Sequence, residues 1–277
     1  MLVTGCSTGI GRATARLLAE RGWPVTATAR RAETLADLEA AGCRTMALDV
    51  TDEGSMRAAV EAVEAEHGAV GVLVNNAGYS QSGAIEEVDI DAVRRQFETN
   101  VFGAVRMTQL VLPAMRRPGW GKVVNMSSMG ANFVFPGGGY YHATKWALDA
   151  ITDALRFEVK GFGIDAILIQ PGLIRTEFAS ASTTALAEGT SAESGPYAKF
   201  NRRLAKATKE TYEKGIGVKL GGPPEAVAEV VLKALTAKRP KARYLVTPSA
   251  HLLVNQRRLM PDRAWDALMR TQFPQPK

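Results

Sequence analysis

A tyrosine and a lysine four residues apart carry the clearest chemistry in this sequence. Tyr141 and Lys145 fall on one face of a predicted helix. A free tyrosine has a pKa near about 10, too high for a base at neutral pH. A nearby ammonium group favours the phenolate and lowers that pKa, so the pair predicts an acid/base tyrosine that works near neutrality. Ser128 lies thirteen residues before Tyr141, just after a predicted strand, and is placed to hydrogen-bond a substrate oxygen.

Residues beside this pair are open to other interpretations. Tyr140 precedes Tyr141, but only Tyr141 has a lysine four residues later. Ser127 stands at a different distance from the tyrosine, and we interpret it as structural. His142 is interpreted as a bystander to the chemistry.

A glycine-rich turn near the N-terminus predicts a site for an anionic cofactor. Gly5, Gly9 and Gly11 fall between a predicted strand at residues 1–4 and a predicted helix at 10–21. Gly5 permits a tight turn, Gly9 lets the backbone approach a pyrophosphate, and Gly11 allows close packing of helix on sheet. The helix N-terminus offers unpaired N–H groups and a positive dipole to phosphates. The alternative is an ordinary turn between strand and helix.

Two arginines at the end of the second predicted strand bear on which nicotinamide is used. NAD sites place an acid about 20 residues beyond the glycines, on the ribose 2′-hydroxyl. Here the strand ends in Arg30 and Arg31, and the nearest acid, Glu33, lies in the next helix. A guanidinium can bind a 2′-phosphate through two hydrogen bonds, so we predict a preference for NADP(H) with some use of NAD(H). Arg30 is the first candidate and Arg31 the second; the alternative is that both are solvated.

The elements that must position these residues follow from the hydrophobic pattern. Strands are predicted at residues 24–29, 44–48, 70–75, 122–126, 164–170 and 243–246, and helices at 32–41, 53–67, 89–115, 141–159 and 225–237. Pro113 is expected to bend or end the long helix. The alternation predicts one α/β domain over residues 1–277, a doubly wound Rossmann-type parallel sheet of about seven strands with helices on both faces.

Five motifs in order resemble the short-chain dehydrogenase/reductase family, in the shorter of its main branches. They are Thr4-Gly5-Cys6-Ser7-Thr8-Gly9-Ile10-Gly11, Asp49-Val50, Asn75-Asn76-Ala77-Gly78, Tyr141-His142-Ala143-Thr144-Lys145 and Pro171-Gly172-Leu173-Ile174-Arg175-Thr176. The resemblance implies a set of cofactor-binding residues. These are Gly5, Ser7, Thr8, Gly9, Ile10, Gly11, Arg30, Arg31, Asp49, Val50, Asn76, Ala77, Gly78, Tyr141, Lys145, Pro171, Gly172, Ile174 and Thr176.

The resemblance also assigns roles in the active site. It implies that Lys145 binds the nicotinamide ribose and that Asn100 holds a water linking the lysine to solvent. Taken alone, Asn100 is typical of a capping or buried amide. Arg30 aligns with an arginine of NADP-dependent members, whereas Thr8 departs from the basic residue that many of them carry there. Residues 244–246 and 259–263 resemble 17β-hydroxysteroid and retinol dehydrogenases.

The function predicted is interconversion of a hydrophobic ketone or aldehyde and its alcohol, with NADP as acceptor for the CH–OH group. The alternative is a non-catalytic NADPH-binding regulator or scaffold; such members of the family usually lack the tyrosine or the lysine. Residues 176–222 are polar, contain no predicted strand, and are interpreted as a lid over the substrate. Phe133 and Phe135 either line the substrate pocket or belong to the core.

Composition limits the other possibilities. The 277 residues are 46% hydrophobic, enough for a large core, and the net charge of +6 is spread rather than clustered, which argues against a nucleic-acid partner. Cys6 and Cys43 match no metal spacing, so we expect no metal and two free thiols in a reducing compartment. We expect no secretory signal, no transmembrane segment and a cytoplasmic location, and the short first strand suggests a trimmed N-terminus.

Partner contacts are predicted at two places. The tail, residues 248–277, is expected to form an amphipathic helical pair around Pro261. Its basic and apolar residues either pack on the subunit or a partner subunit, or touch a membrane surface. The family resemblance implies a homodimer or homotetramer, formed through the long helices at residues 89–115 and 141–159.

Overall fold

Seven parallel strands form one sheet within the part of the chain that this computed structural model describes, residues 1–177, 195–213, 215–273 and 275. The strands are β1 (Leu2–Val3), β2 (Thr26–Ala29), β3 (Arg44–Ala47), β4 (Val72–Asn75), β5 (Gly121–Met126), β6 (Ile164–Pro171) and β7 (Arg243–Val246). Their order is β3-β2-β1-β4-β5-β6-β7. The sequence of the strands reverses direction beside β1, so the carboxyl ends of β1 and β4 border a crevice that suits a ligand. The predicted doubly wound sheet is confirmed.

Helices cover both faces of the sheet. They are α1 (Gly9–Glu20), α2 (Ala36–Ala40), α3 (Glu53–His67), α4 (Ile90–Phe97), α5 (Gly103–Arg116), α6 (Gly139–Glu158), α7 (Ala198–Glu213), α8 (Gly215–Leu220), α9 (Pro224–Thr236), α10 (Pro248–Leu259) and α11 (Asp262–Gln272). One apolar layer contains Leu18 from α1 and Val231 from α9; the other contains Val63 from α3 and Val111 from α5. Each such buried side chain contributes roughly 1.5–3 kcal/mol to stability.

The central strands are almost wholly apolar because helices bury both of their sides. Lys122 in β5 is an exception, with 6% of its surface exposed. Its ammonium group donates to the carbonyl oxygens of Leu235 at 2.7 Å and Ala237 at 3.1 Å, at the end of α9. A cation there satisfies carbonyls that the helix leaves unpaired and complements its dipole.

The long helix predicted at residues 89–115 differs from the structure. It consists of α4, a π-helical turn at Glu98–Phe102, and α5, which continues past Pro113 to Arg116. A proline costs its helix one hydrogen bond, and the packing of α5 against the sheet maintains the helix here. The predicted helix at 32–41 is likewise a 3-10 turn, Ala32–Leu35, followed by α2.

The predicted insertion leaves and rejoins the fold at one place. Ile174 and Gly222 pair in a parallel bridge, and the N–H of Arg175 donates to the Gly222 oxygen at 2.9 Å. The described part of the insertion contains α7 and α8; residues 178–194 lie outside the described residues. Both cysteines are free, as predicted, and both are buried. A search of the described helices finds none with the length and apolar content needed to cross a bilayer.

Candidate functional site

A cavity of about 1340 Å³ runs along the carboxyl ends of the strands. Most residues predicted to bind cofactor or substrate line it: Gly5, Ser7, Thr8, Gly9, Ile10, Arg30, Asp49, Val50, Asn76, Ala77, Gly78, Ser128, Tyr141, Lys145, Pro171, Gly172, Ile174 and Thr176. Three predicted residues do not line it: Gly11, Arg31 and Asn100. Parallel strands end on one edge of a sheet, which is why segments so distant in sequence meet here.

The glycine-rich turn has the backbone shape that an anion site requires. Gly5 has a φ of 71°, which side-chain-bearing residues rarely adopt. A Cβ on Gly11 would overlap the Gly5 carbonyl oxygen, so Gly11 packs behind the turn rather than in the cavity. Thr8 caps α1 without a side-chain hydrogen bond, and the first turn has no acidic residue. The first N–H groups of α1 therefore remain for a phosphate.

Arg30 and Arg31, adjacent in sequence, occupy different environments. Arg30 lines the cavity. Arg31 does not line it, is 76% exposed, and lies 3.9 Å from the carboxylate of Glu33. Successive side chains of an extended segment face opposite sides, and this alternation separates the two guanidinium groups. The structure thus favours Arg30 and does not bring Arg31 to the site.

A third arginine, which the sequence analysis missed, lines the same cavity. Arg95 comes from α4. Burial raises the pKa of the Tyr79 phenol, and the charges of Arg95 and Arg30 oppose that rise, so both guanidinium groups lie near Tyr79. In sequence, Arg95 is one of two consecutive arginines on an amphipathic helix, a pattern typical of a solvated surface.

Tyr141, Lys145 and Ser128 meet at the middle of the cavity. The hydroxyls of Tyr141 and Ser128 are hydrogen-bonded. The Lys145 ammonium is buried, donates to the Met126 carbonyl oxygen at 2.8 Å, and lies 5.7 Å from the centre of the Tyr141 ring. Ser128 Oγ also accepts from the Gly130 N–H at 3.0 Å. The arrangement presents a phenol, a hydroxyl and an ammonium group to one small volume.

The sequence predicted a lowered pKa for Tyr141. That direction is wrong when only the groups of the protein act on the phenol. Burial raises the pKa of Tyr141 to about 12, and the hydrogen bond from Ser128 lowers it only in part. Burial also lowers the pKa of Lys145 to about 8, against the opposing charge of Asp149. Desolvation disfavours both charged forms more than the pair favours them. Tyr141 is consequently a protonated phenol, a proton donor, at neutral pH.

Two residues near the candidate catalytic group, Asn100 and Ser127, are held by hydrogen bonds. Asn100 lies in the π-helical turn and donates to the Tyr79 carbonyl oxygen at 2.9 Å and to Thr144 Oγ1 at 3.1 Å. Its own oxygen accepts from the Tyr79 N–H at 3.0 Å. π-Helical turns of this kind are frequent at functional sites. Ser127 Oγ donates to the buried Asp149 carboxylate at 2.5 Å, which accords with a structural role.

His142, interpreted from sequence as a bystander, is a positioning residue for the loop that carries Ser128. Burial lowers its pKa, so the ring is neutral at neutral pH. Nδ1 lies 2.8 Å from the Gly130 carbonyl oxygen, and Nε2 accepts from the Phe135 N–H at 3.3 Å. A Cβ on Gly130 would overlap Nδ1, so this glycine makes room for the ring. The His142 imidazole therefore connects two points of this loop, Gly130 and Phe135, to α6.

Replacement of this ring should loosen the loop. His142→Phe removes both hydrogen bonds and leaves a buried carbonyl and a partly buried N–H unpaired, which costs about 1–3 kcal/mol. We expect a lower Tm and a lower kcat/KM with NADPH affinity maintained, measured by thermal unfolding, initial rates and cofactor titration. His142→Asn keeps a donor near Nδ1 and should recover part of both losses. Wild-type kcat/KM in His142→Phe would argue against the positioning role.

The tail packs against the same loop. Trp265 from α11 is 5% exposed, and its ring centre lies 5.5 Å from that of Phe133. Its indole N–H donates to the Val134 carbonyl oxygen at 3.4 Å. Trp265 and Met269 therefore pack on the subunit, which supports the first of the two interpretations for α11, whereas Leu252 and Leu259 of α10 are exposed. Phe133 and Phe135 were expected either to line the substrate pocket or to belong to the core, and they do both. Phe133 is buried in this cluster, Phe135 packs against it, and both line the cavity.

The insertion and the tail contribute both apolar and polar side chains to the cavity. The apolar ones are Leu204, Leu252, Leu253, Leu268, Met269 and Phe273, and the polar ones include Arg203, Glu210 and Gln256. These residues are distant in sequence from the catalytic motifs and follow no spacing that would have marked them. Within the described ranges, no group of three or more metal-ligating side chains could hold a metal ion.

Known proteins share this sequence pattern along most of the chain. A family model described as short chain dehydrogenase matches residues 1–187. The NADPH-dependent 3-dehydrocapnine reductase of Ornithobacterium rhinotracheale is 36% identical over 276 residues, 96% of this chain and 94% of that protein. The 3-ketodihydrosphingosine reductase of Bacteroides thetaiotaomicron is 35% identical over 255 residues, 91% of this chain and 89% of that protein.

Solved structures agree with the sequence relatives. The crystal structure of a short-chain dehydrogenase from Streptomyces avermitilis superposes with a TM-score of 0.76 at 36% identity, covering 98% of this chain and 96% of that one. The closed form of serine dehydrogenase complexed with NADP+ gives a TM-score of 0.76 at 26% identity, covering 89% and 94%.

Proposed function

This chain belongs to the short-chain dehydrogenase/reductase family of oxidoreductases, and from that premise we propose that it is an NADPH-preferring carbonyl reductase. Its substrate is a hydrophobic ketone or aldehyde, and its product the corresponding alcohol. The observation that carries the proposal is the meeting of Tyr141, Lys145 and Ser128 in one cavity with an anion-binding turn.

The residues present fit a nicotinamide dinucleotide. The N–H groups at the start of α1, which no side chain caps, would suit the pyrophosphate, and Asp49 and Val50, which line the cavity, would hold the adenosine end. Arg30 suits a 2′-phosphate. Thr8, where many NADP-dependent members of the family have a basic residue, is uncharged, and Arg95 supplies a second guanidinium group instead. The name of one relative includes NADPH, and one structural neighbour is complexed with NADP+. These points support a preference for NADP(H).

Side chains of the protein carry out the proton transfer in this proposal. When bound, the nicotinamide supplies the hydride. Ser128 donates to the substrate oxygen, and Tyr141, whose pKa burial raises to about 12, gives its proton to the alkoxide that forms there. Lys145 sits beside the tyrosine ring, where an ammonium group stabilises the phenolate left behind. Asn100, fixed between Tyr79 and Thr144, is proposed to hold a water that leads a replacement proton toward Lys145.

The substrate end of the cavity supports a hydrophobic compound. The insertion and the tail contribute six apolar side chains to the lining, and the lining residues from α7 support the proposal that residues 176–222 act as a lid. Two relatives are named as reductases, which supports reduction as the working direction. Self-association stays a prediction, supported by exposed Phe102, Trp146 and Phe157 on and beside α5 and α6.

A panel of long-chain ketones, aldehydes and alcohols tests the proposal. Each is incubated with NADPH or NADP+ and followed at the nicotinamide absorbance. We expect turnover of long-chain carbonyl compounds with NADPH, with KM falling as the apolar chain lengthens, because each buried CH₂ contributes about 0.8 kcal/mol. Turnover confined to short polar carbonyls would contradict the substrate class, and faster turnover with NADH would contradict the cofactor preference.

A further inference from the structure

Helix α7 is anchored over the substrate end of the cavity. Just before its start, the Tyr197 hydroxyl donates to the Glu86 carboxylate at 2.6 Å, and the Asn201 amide in its first turn donates to Glu87 at 2.6 Å. Leu204 is buried so closely against Gly137 that a Cβ on this glycine would overlap the leucine side chain. Two hydrogen bonds and one close apolar contact therefore fix which face of α7 looks inward.

That inward face is amphipathic along its length. Leu204, Thr208 and Tyr212 recur at intervals of four residues and all line the cavity. Residues at this spacing share one side of a helix. The apolar contact at Leu204 thus gives way to hydroxyl groups as the helix proceeds, and the last of them belongs to Tyr212.

Tyr212 lines the same cavity as Tyr141. Burial raises the pKa of the Tyr212 phenol, and the Tyr141 phenol raises it further, which accords with their shared cavity. Tyr212 is partly exposed, and no described residue is recorded as a hydrogen-bond partner of its hydroxyl. A ligand in the cavity can therefore supply the partner that a tyrosine hydroxyl usually has.

We propose that Tyr212 hydrogen-bonds a second polar group of the substrate, next to its reacting carbonyl, and so selects ketones bearing a neighbouring hydroxyl or amino group. This inference rests on the proposed function, since it assumes that Tyr141 marks the position of the reacting carbonyl. The substrate is then amphipathic, with its polar end between Tyr141 and Tyr212. Its apolar chain extends toward Leu253, Met269 and Phe273.

Two matched ketones and one substitution test the inference. A long-chain methyl ketone and the corresponding hydroxymethyl ketone are reduced with NADPH by the wild-type chain and by Tyr212→Phe. We expect Tyr212→Phe to lower kcat/KM for the hydroxymethyl ketone by about 3–10-fold, the value of one hydrogen bond. For the methyl ketone, kcat/KM should stay within about twofold, because it has nothing for the hydroxyl to bind. NADPH affinity and Tm, measured alongside, should match wild type.

The possible outcomes distinguish a failure of the role proposed for Tyr212 from a failure of the proposed function. Equal losses with both ketones, or no loss with either, would overturn the role of Tyr212 while leaving the proposed function standing. Reduction of neither ketone by the wild-type chain would overturn the proposed function, and this inference with it. A loss confined to the hydroxymethyl ketone, in a variant that binds NADPH normally, supports the inference.

Discussion

Tyr141→Phe should lower kcat for carbonyl reduction by about 10²–10⁴-fold, the usual contribution of a positioned general acid. The phenylalanine keeps the ring beside Lys145 but has no proton to give, and Ser128 loses its hydrogen-bonded neighbour. Binding of NADPH should change little, since the other cavity-lining contacts to the cofactor are untouched. Steady-state rates and a fluorescence titration with NADPH measure the two effects separately.

Tyr140→Phe is the matched control. The Tyr140 hydroxyl donates to the Ile85 carbonyl oxygen at 2.9 Å and does not line the cavity. Its removal should leave kcat within about threefold of wild type, as expected for one hydrogen bond at the surface. If Tyr141→Phe retains both turnover and cofactor binding, Tyr141 is not the acid. If the wild-type chain binds NADPH but reduces no carbonyl compound, the alternative of a non-catalytic regulator gains support.

Arg30→Ala should raise the Kd for NADPH by about 10–100-fold and leave the Kd for NADH within about threefold. Hydrogen bonds to charged groups contribute about 1.5–3 kcal/mol each, and only NADPH has the 2′-phosphate to receive them. Arg30 lines the cavity, and the nearest acid in sequence, Glu33, is engaged with Arg31. Titration of wild type and variant with both dinucleotides gives the ratio directly.

Arg31→Ala removes the same charge one residue away and serves as the control. Its guanidinium is 76% exposed and faces Glu33, so its loss should change both dissociation constants by less than about twofold. Equal weakening of NADPH and NADH by Arg30→Ala would show a general electrostatic effect and no recognition of the 2′-phosphate. Preservation of the NADPH preference in Arg30→Ala would direct attention to Arg95, the other guanidinium group near Tyr79.

Much of the fold was predictable because its causes are local in sequence. Apolar runs of strand length alternate with amphipathic helical stretches, and a parallel sheet needs both. The helix at Glu53–His67 and the strand at Arg243–Val246 match their predicted bounds. The prediction of one long helix failed because a π-helical turn depends on what packs around Asn100, and no hydrophobic period records such a turn.

The candidate site was likewise predictable from the sequence only in part. The glycine turn and the pair Tyr141 and Lys145 are short motifs whose spacing has a geometric meaning, so the sequence alone determined which residues could do the chemistry. The direction of the Tyr141 pKa shift depended on burial, which is a property of the folded cavity. Sequence neighbours suggested a lowered pKa, and desolvation raises it.

What only the tertiary structure decided is which distant residues surround that chemistry. It separated Arg30 from Arg31, joined two parts of the Ser128 loop through His142, and brought Tyr212 of α7 into the same cavity as Tyr141 of α6. These are contacts between segments without a shared period, made by helices whose directions the whole sheet sets. The sequence by itself determined which residues could carry out the proposed reaction, and the packing decided which side chains line the cavity around them.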